Sequence, residues 1–184
     1  MKKIILLLSV IALFIMQGNA QNTFNKGDKV VNLSVGLGSR LYSGSGYSNV
    51  TPAISGSYEV GVKDELFDAN SSIGVGGYVG YTGSKYTYSP GYGWKYNDII
   101  IGARAALHYQ FIDQLDTYTG LMLGYDIVST KVFGMGAFDS NATGSGLAFS
   151  WFLGGRYYFN DRFAGLVELG YGIAYFNVGV AIKL

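Results

Sequence analysis

Eight stretches of this chain place an apolar residue at every second position, and what most narrows the possible folds is the company kept by the other face. A period of two belongs to strands, whose successive side chains point to opposite sides. In Val30–Gly38 the residues Val31, Leu33, Val35 and Leu37 alternate with Asn32, Ser34, Gly36 and Gly38. The same alternation runs through Ala53–Val62, Ser71–Thr82, Asp98–Phe111, Thr117–Val128, Leu147–Phe159, Phe163–Gly172 and a last stretch from Phe176 to Leu184. A soluble sandwich would fill the second face with Lys, Glu, Thr and Asp, because that face meets bulk water. Here it carries mostly Gly, Ser, Ala and Tyr with a few isolated charges. That mixture suits the inside of a narrow cylinder, where eight strands leave room only for side chains. The expected fold is therefore all-β, an eight-stranded antiparallel up-and-down transmembrane β-barrel with its apolar face toward lipid. A ligand-carrying soluble barrel would reverse the faces and need far more charge outside.

The connections point the same way. Those after the second, fourth and sixth stretches are KDELFDAN, IDQLD and NDR, whereas those after the first, third and fifth run through SRLYSGSGYSNVT, GSKYTYSPGYGWKYN and STKVFGMGAFDSNATGSG. Short turns at one end and long loops at the other is the outer-membrane pattern, and an even count of strands of about 9–11 tilted residues meets the smallest membrane barrel. The last hairpin, GIAY, is short on the loop side. Aromatic residues near strand ends, Tyr42, Tyr81, Tyr96, Tyr109, Phe111, Tyr118, Phe159 and Phe163, are expected to form two interfacial girdles.

Composition narrows the class further. The 184 residues are read as one domain behind a secretory signal peptide at 1–20, with the mature protein at 21–184: two lysines, an apolar run from Ile4 to Met16, then Gly18, Asn19 and Ala20. No later segment approaches the roughly 18 consecutive apolar residues of a membrane helix. With no cysteine there is neither disulfide framework nor lipid anchor. Thirteen Lys and Arg against 12 Asp and Glu, without a basic run, give no nucleic-acid signal. The 28 Gly, 16 Tyr and 11 Phe against 2 Pro favour β structure with close backbone approaches.

The stretch RYYFNDRFAGLVELGYGIAYFNVGVAIKL, Arg156 to Leu184, resembles the small eight-stranded outer-membrane barrels of the OmpA and OmpX type, the "outer membrane protein beta-barrel domain" families. The likeness covers the mature chain in pattern and is motif-like in its last 30 residues. It implies a bacterial outer-membrane location, contact with outer-membrane lipid, and a barrel-assembly signal read by the assembly machinery at Asn177, Gly179, Ile182 and Leu184. The terminal Leu184 departs from the Phe or Trp usual there. The last strand is expected to close the barrel on Val30–Gly38.

Among polar features, Glu59, Arg104, Arg156 and Glu168 share the inward parity, and Arg156 lies directly or diagonally opposite Glu168 across the NDR turn, within pairing reach. Unpaired charges in a narrow interior are costly, so a buried ion-pair network is expected, serving as a polar plug or as the gate of a small pore. His108, the single histidine, invites a second reading, because some barrels of this size are lipid-modifying enzymes. Ser150 and Glu168 are inward as nucleophile and orienting carboxylate would have to be. His108, however, falls near the short-turn end, and no His-x-Ser arrangement surrounds it, so the enzyme reading is not favoured. One His, no Cys and no Asp-rich loop give no metal site, and the Gly-rich stretches do not open a helix after a strand, so no cofactor is expected. The stretch Tyr86–Tyr96, with Tyr86, Tyr88, Tyr92, Trp94 and Tyr96, is the candidate surface-loop contact, either for a protein partner or for lipid headgroups. The expected role is structural or interactive: membrane integrity, surface contact, or an accessory subunit of an outer-membrane complex. The rivals are a narrow pore for small solutes and a lipid-modifying enzyme.

Overall fold

A computed structural model of the chain describes residues 23–39, 41, 45–134 and 144–184. The expected signal peptide and Tyr42 lie outside the described residues. Eight strands follow in order: β1 (Lys29–Leu37), β2 (Tyr47–Asp64), β3 (Ser71–Ser89), β4 (Tyr92–Ile112), β5 (Leu115–Phe133), β6 (Gly146–Tyr158), β7 (Phe163–Tyr171) and β8 (Phe176–Lys183). Each pairs antiparallel with its neighbour in sequence, and β8 returns to β1 with Leu33 opposite Val180, so the sheet is a closed barrel. Where all eight strands overlap, closure leaves no strand edge unpaired.

The alternation decides the wall. Leu33, Ile54, Val79, Ile101, Leu123 and Phe149 stand exposed on the outside, Leu123 at 63%. Val30, Ser57, Glu59, His108, Phe152 and Arg156 are buried inside. The outer apolar residues form a continuous band around the ring, far beyond the scattered patches a water-soluble monomer exposes. Small residues let the inner side chains fit: a Cβ at Gly154 would lie 2.5 Å from the ring of Tyr118, and one at Gly120 would lie 2.5 Å from that of Phe152.

The wall is lopsided. β2, β3, β4 and β5 have 18, 19, 21 and 19 residues, while β1, β7 and β8 have 9, 9 and 8. The surplus of about ten residues carries these four strands roughly 30 Å further along their own direction. The long loop expected between the third and fourth stretches is therefore a hairpin: β3 and β4 are joined by Pro90 and Gly91 alone, with Ser89 opposite Tyr92. Proline followed by a glycine at φ 86° is the sequence that a tight turn with a left-handed second position requires. At the other end, Asp113 and Gln114 join β4 to β5, and Gln114 takes the left-handed conformation at φ 67°.

Two of the girdle assignments are corrected by the same parity. Tyr118 points into the lumen and is 2% exposed, and Tyr96 lies on β4 in phase with buried Asp98 and Ile100. Phe111, Phe159 and Phe163 do face outward near strand ends, whereas Tyr81 faces outward in the middle of β3, eight residues short of its end.

The closing register gives the first prediction. The paired substitution Leu33→Cys with Val180→Cys is expected to cross-link readily under mild oxidation in this otherwise cysteine-free chain, whereas Leu33→Cys with Phe176→Cys, displaced by four residues on β8, should not. Equal cross-linking of both pairs would contradict the β1–β8 register.

Candidate functional site

The lumen holds two charge clusters stacked along the barrel axis. Nearer the short-turn end, four strands contribute one side chain each: Glu59 from β2, His108 from β4, Asp116 from β5 and Arg156 from β6. His108 Nε2 donates to Glu59 Oε1 at 2.8 Å and His108 Nδ1 to Asp116 Oδ1 at 2.8 Å. Arg156 Nη1 donates to Asp116 Oδ2 at 3.1 Å, and Nη2 donates to Glu59 Oε2. Because an ionised carboxylate only accepts, both imidazole nitrogens must carry hydrogen for both contacts to be hydrogen bonds, which makes the ring an imidazolium. Two cations then meet two anions, and the cluster is neutral. Arg156, His108 and Asp116 are each at most 2% exposed, so this neutrality is what makes their burial tolerable.

The second cluster sits one layer up. Arg104 Nη2 donates to Glu168 Oε2 at 2.6 Å, and the Tyr118 hydroxyl donates to the same oxygen at 3.1 Å. Aromatic rings separate and cover the two layers: the Arg156 guanidinium lies 4.6 Å from the Tyr118 ring centre, and that of Arg104 lies 3.7 Å from the ring of Phe152. Such contacts stabilise a cation where water is scarce.

The four lumen residues read from parity thus lie in both layers, but the pairing differs from the one drawn across the NDR turn. Arg156 stands opposite Leu166, and Glu168 stands opposite Gly154, so Arg156 and Glu168 are diagonal neighbours on the backbone. Their side chains turn away from each other toward Glu59 and Asp116 on one side and Arg104 on the other. The apolar alternation of the fifth stretch, Thr117–Val128, leaves Asp116 just outside it. One more residue of the same alternation puts Asp116 in phase with Tyr118.

Both mouths are closed by residues without any strand periodicity. Below, the segment ahead of β1 folds across the opening, with the Thr23 amide on Gln110 Oε1 at 2.7 Å and the Ser72 hydroxyl on the Phe24 carbonyl at 2.9 Å. This puts the Phe24 ring against that of His108, with centres 4.1 Å apart and stacked at 26°. Lys183 Nζ locks the segment to the last strand through Asp28 Oδ2 at 2.6 Å. Above, the short β7–β8 connection turns Ile173 and Ala174 inward, 5% and 3% exposed, over Phe152 and Leu166. The space left between Arg104, Glu168, Phe152 and Ile173 is a cavity of about 20 Å³. That is room for about one water.

Ser72 stands opposite His108 on β3, but its hydroxyl donates to the Phe24 carbonyl rather than to the imidazole. The two nitrogens of His108 are taken by carboxylates, and Ser150 lies in the upper layer, its hydroxyl on the Trp151 carbonyl. Among the described residues no group of three or more His, Cys, Asp or Glu is arranged to hold a metal.

The aromatic set Tyr86–Tyr96 rides on the hairpin extension. Tyr47 meets Tyr86 at a tilt of 47° with ring centres 4.7 Å apart, Tyr86 stacks on Trp94 at 5.8 Å, and Trp94 meets Tyr88 edge-on at 6.5 Å. The parity is that of buried Thr82 and Ser84, so these rings continue the lumen face upward rather than facing outward to lipid. Tyr92, at the turn, covers Gly134. Of the C-terminal set, Asn177 and Gly179 face inward on β8, and Ile182 pairs with Val31 of β1.

Removal of one charge from the lower layer should be costly. Arg156→Met leaves Glu59 and Asp116 facing only His108, and urea unfolding in lipid vesicles is expected to show a loss of about 3–5 kcal/mol. Phe24→Ala should cost about 3 kcal/mol through the lost ring contacts. Losses under about 1 kcal/mol for Arg156→Met would mean the layer does not hold the barrel.

No protein-family model matches the chain, and no curated protein matches it. Solved structures similar to it are Ail, the attachment invasion locus protein of Yersinia pestis (9% identity, 86% of this chain and 95% of that one, TM-score 0.46), and Ail in complex with the heparin analogue sucrose octasulfate (10%, 86% and 95%, 0.48). The N-terminal β-barrel domain of Pseudomonas aeruginosa OprF is also similar (13%, 86% and 98%, 0.44).

Proposed function

We propose that this protein is a bacterial outer-membrane barrel with an occluded lumen, whose work is done by its walls and its upper rim rather than by passage or chemistry inside. The observation that carries this reading is the inversion of faces: a continuous apolar band outside and ion-paired charge clusters inside. In water that arrangement exposes what should be buried and buries what should be exposed. In a bilayer it is the arrangement that pairs the backbone of the band strand to strand and keeps the buried charges away from the acyl chains. Lipid is the partner of the band, and the assembly machinery is the partner of β8, with Asn177, Gly179, Ile182 and Leu184 as its signal. The long-strand rim, with the Tyr86–Tyr96 hairpin, is the surface-exposed end, and it offers a rigid aromatic face to a protein partner or to another subunit of an outer-membrane complex.

The closed lumen favours this role over a pore. Among the described residues the space between Arg104, Glu168, Phe152 and Ile173 has room for about one water, and opening a path past Phe24 would require breaking a neutral, hydrogen-bonded cluster. An enzyme acting through His108 is not favoured either, since both of its nitrogens are engaged.

Two measurements on the refolded full chain test the reading. On a denaturing gel the unheated protein is expected to run apart from the boiled one, and in planar bilayers it should be close to silent. Steady conductance that rises in Glu168→Gln would establish the pore instead. A protein that stays in the soluble fraction with no heat shift would overturn the membrane role altogether.

A further inference from the structure

Above the apolar band the outward residues of the long strands fall into rows. Ile54, Tyr81, Ile99 and Ile127 stand opposite one another on β2, β3, β4 and β5 and form the last apolar row. The next outward row is Gly83, Asn97 and Ser129, where the Tyr81 hydroxyl donates to Asn97 Oδ1 at 3.0 Å. The row after that is lysine on three adjacent strands: Lys85 opposite Lys95, and Lys95 opposite Lys131. Directly opposed residues on neighbouring strands have Cα atoms about 5 Å apart, and like charges so placed repel. Among the described residues no carboxylate shares this outer face above the Ile99 row, and none of the three lysines is in an ion pair. Lys85 lies over the Phe133 ring at 4.4 Å, which orients its stem along the sheet.

We propose that Lys85, Lys95 and Lys131 form a binding edge for the anionic phosphate headgroups of the lipid leaflet that surrounds the rim. The inference rests on the membrane reading above. Two things select a lipid as occupant. The lysines lie just above the apolar band, four residues or about 13 Å along the strand past its last row, which at the tilt of barrel strands is about 10 Å in height and reaches the headgroups of a lipid whose chains lie on Ile99 and Ile127. They also carry the charge opposite to a phosphate, and each surface lysine near an anionic leaflet is worth about a fivefold preference. The row occupies one side of the barrel only, β3 to β5, so it would hold anionic lipid against that side and orient the aromatic hairpin relative to the membrane plane.

The test uses the full chain folded in neutral detergent micelles, with phosphatidylglycerol or phosphatidylcholine added and retained lipid counted by native mass spectrometry. The wild type is expected to retain phosphatidylglycerol over phosphatidylcholine by about tenfold or more. The triple variant Lys85→Gln, Lys95→Gln, Lys131→Gln should lose that preference, and Lys95→Gln alone should lower it about fivefold. Preference unchanged in these variants, or none in the wild type, overturns the proposal. Inorganic phosphate at the same phosphate concentration should not displace the lipid; displacement would make this a site for free phosphate and overturn the lipid assignment. Gel heat shift on the same samples separates the two levels. A shift without lipid preference sinks only the lysine edge, whereas no shift in the wild type sinks the membrane reading and this inference with it.

Discussion

The lower charge layer is the interaction on which the rest of the barrel depends. An eight-stranded cylinder is too narrow to hold bulk water and too wide to close on backbone alone, so its axis must be filled by side chains. Filling it with Arg156, His108, Glu59 and Asp116 draws four of the eight strands onto one hydrogen-bonded cluster. Every member donates to or accepts from members on other strands, so a shift of one strand by a residue would turn its charge out into the apolar band and leave its partners unmatched. A purely apolar filling would hold the same volume with less dependence on register, since apolar contacts have no direction. The charge layer is thus a device for uniqueness, and its neutrality keeps that device from destabilising the fold.

The remaining parts follow from that filling. Tyr118 and Phe152 are the ceilings of the two layers, and glycines at 154 and 120 make space for their rings. Phe24 and Ile173 cover the two ends, so among the described residues the inside is closed while the band outside is apolar. With the lumen committed to holding the wall together, interaction is left to the outside and the rim. There the strands divide the labour by parity: aromatic rings on the inward side of the extension, lysines on its outward side.

Much of this was legible in the sequence because alternation carries both strand identity and side. The eight strands, their closure and the inward placement of Glu59, Arg104, Arg156 and Glu168 follow from counting by twos. What escaped did so where counting fails. Asp116 lies one residue outside the apolar alternation, in what reads as a turn. Phe24 and Ile173 act from segments with no period at all, where only the three-dimensional closure gives them a role. The extension of β3 and β4 was hidden because both of its faces are polar or aromatic: in SKYTYS and YGWKYN neither side is greasy enough to mark a strand. Which carboxylate pairs with which cation depends on rotamers across four strands, and no spacing in the chain encodes it.

The central claim is that the apolar face meets lipid, and Trp151 tests it most directly. It stands on β6 in the middle of the outer band, 49% exposed, and Trp94→Phe leaves it as the single tryptophan. In vesicles whose acyl chains carry bromine, its fluorescence is expected to be strongly quenched, and a water-soluble quencher such as iodide should have little effect. Quenching by iodide with none from the brominated chains would place the outer face in water and reverse the account.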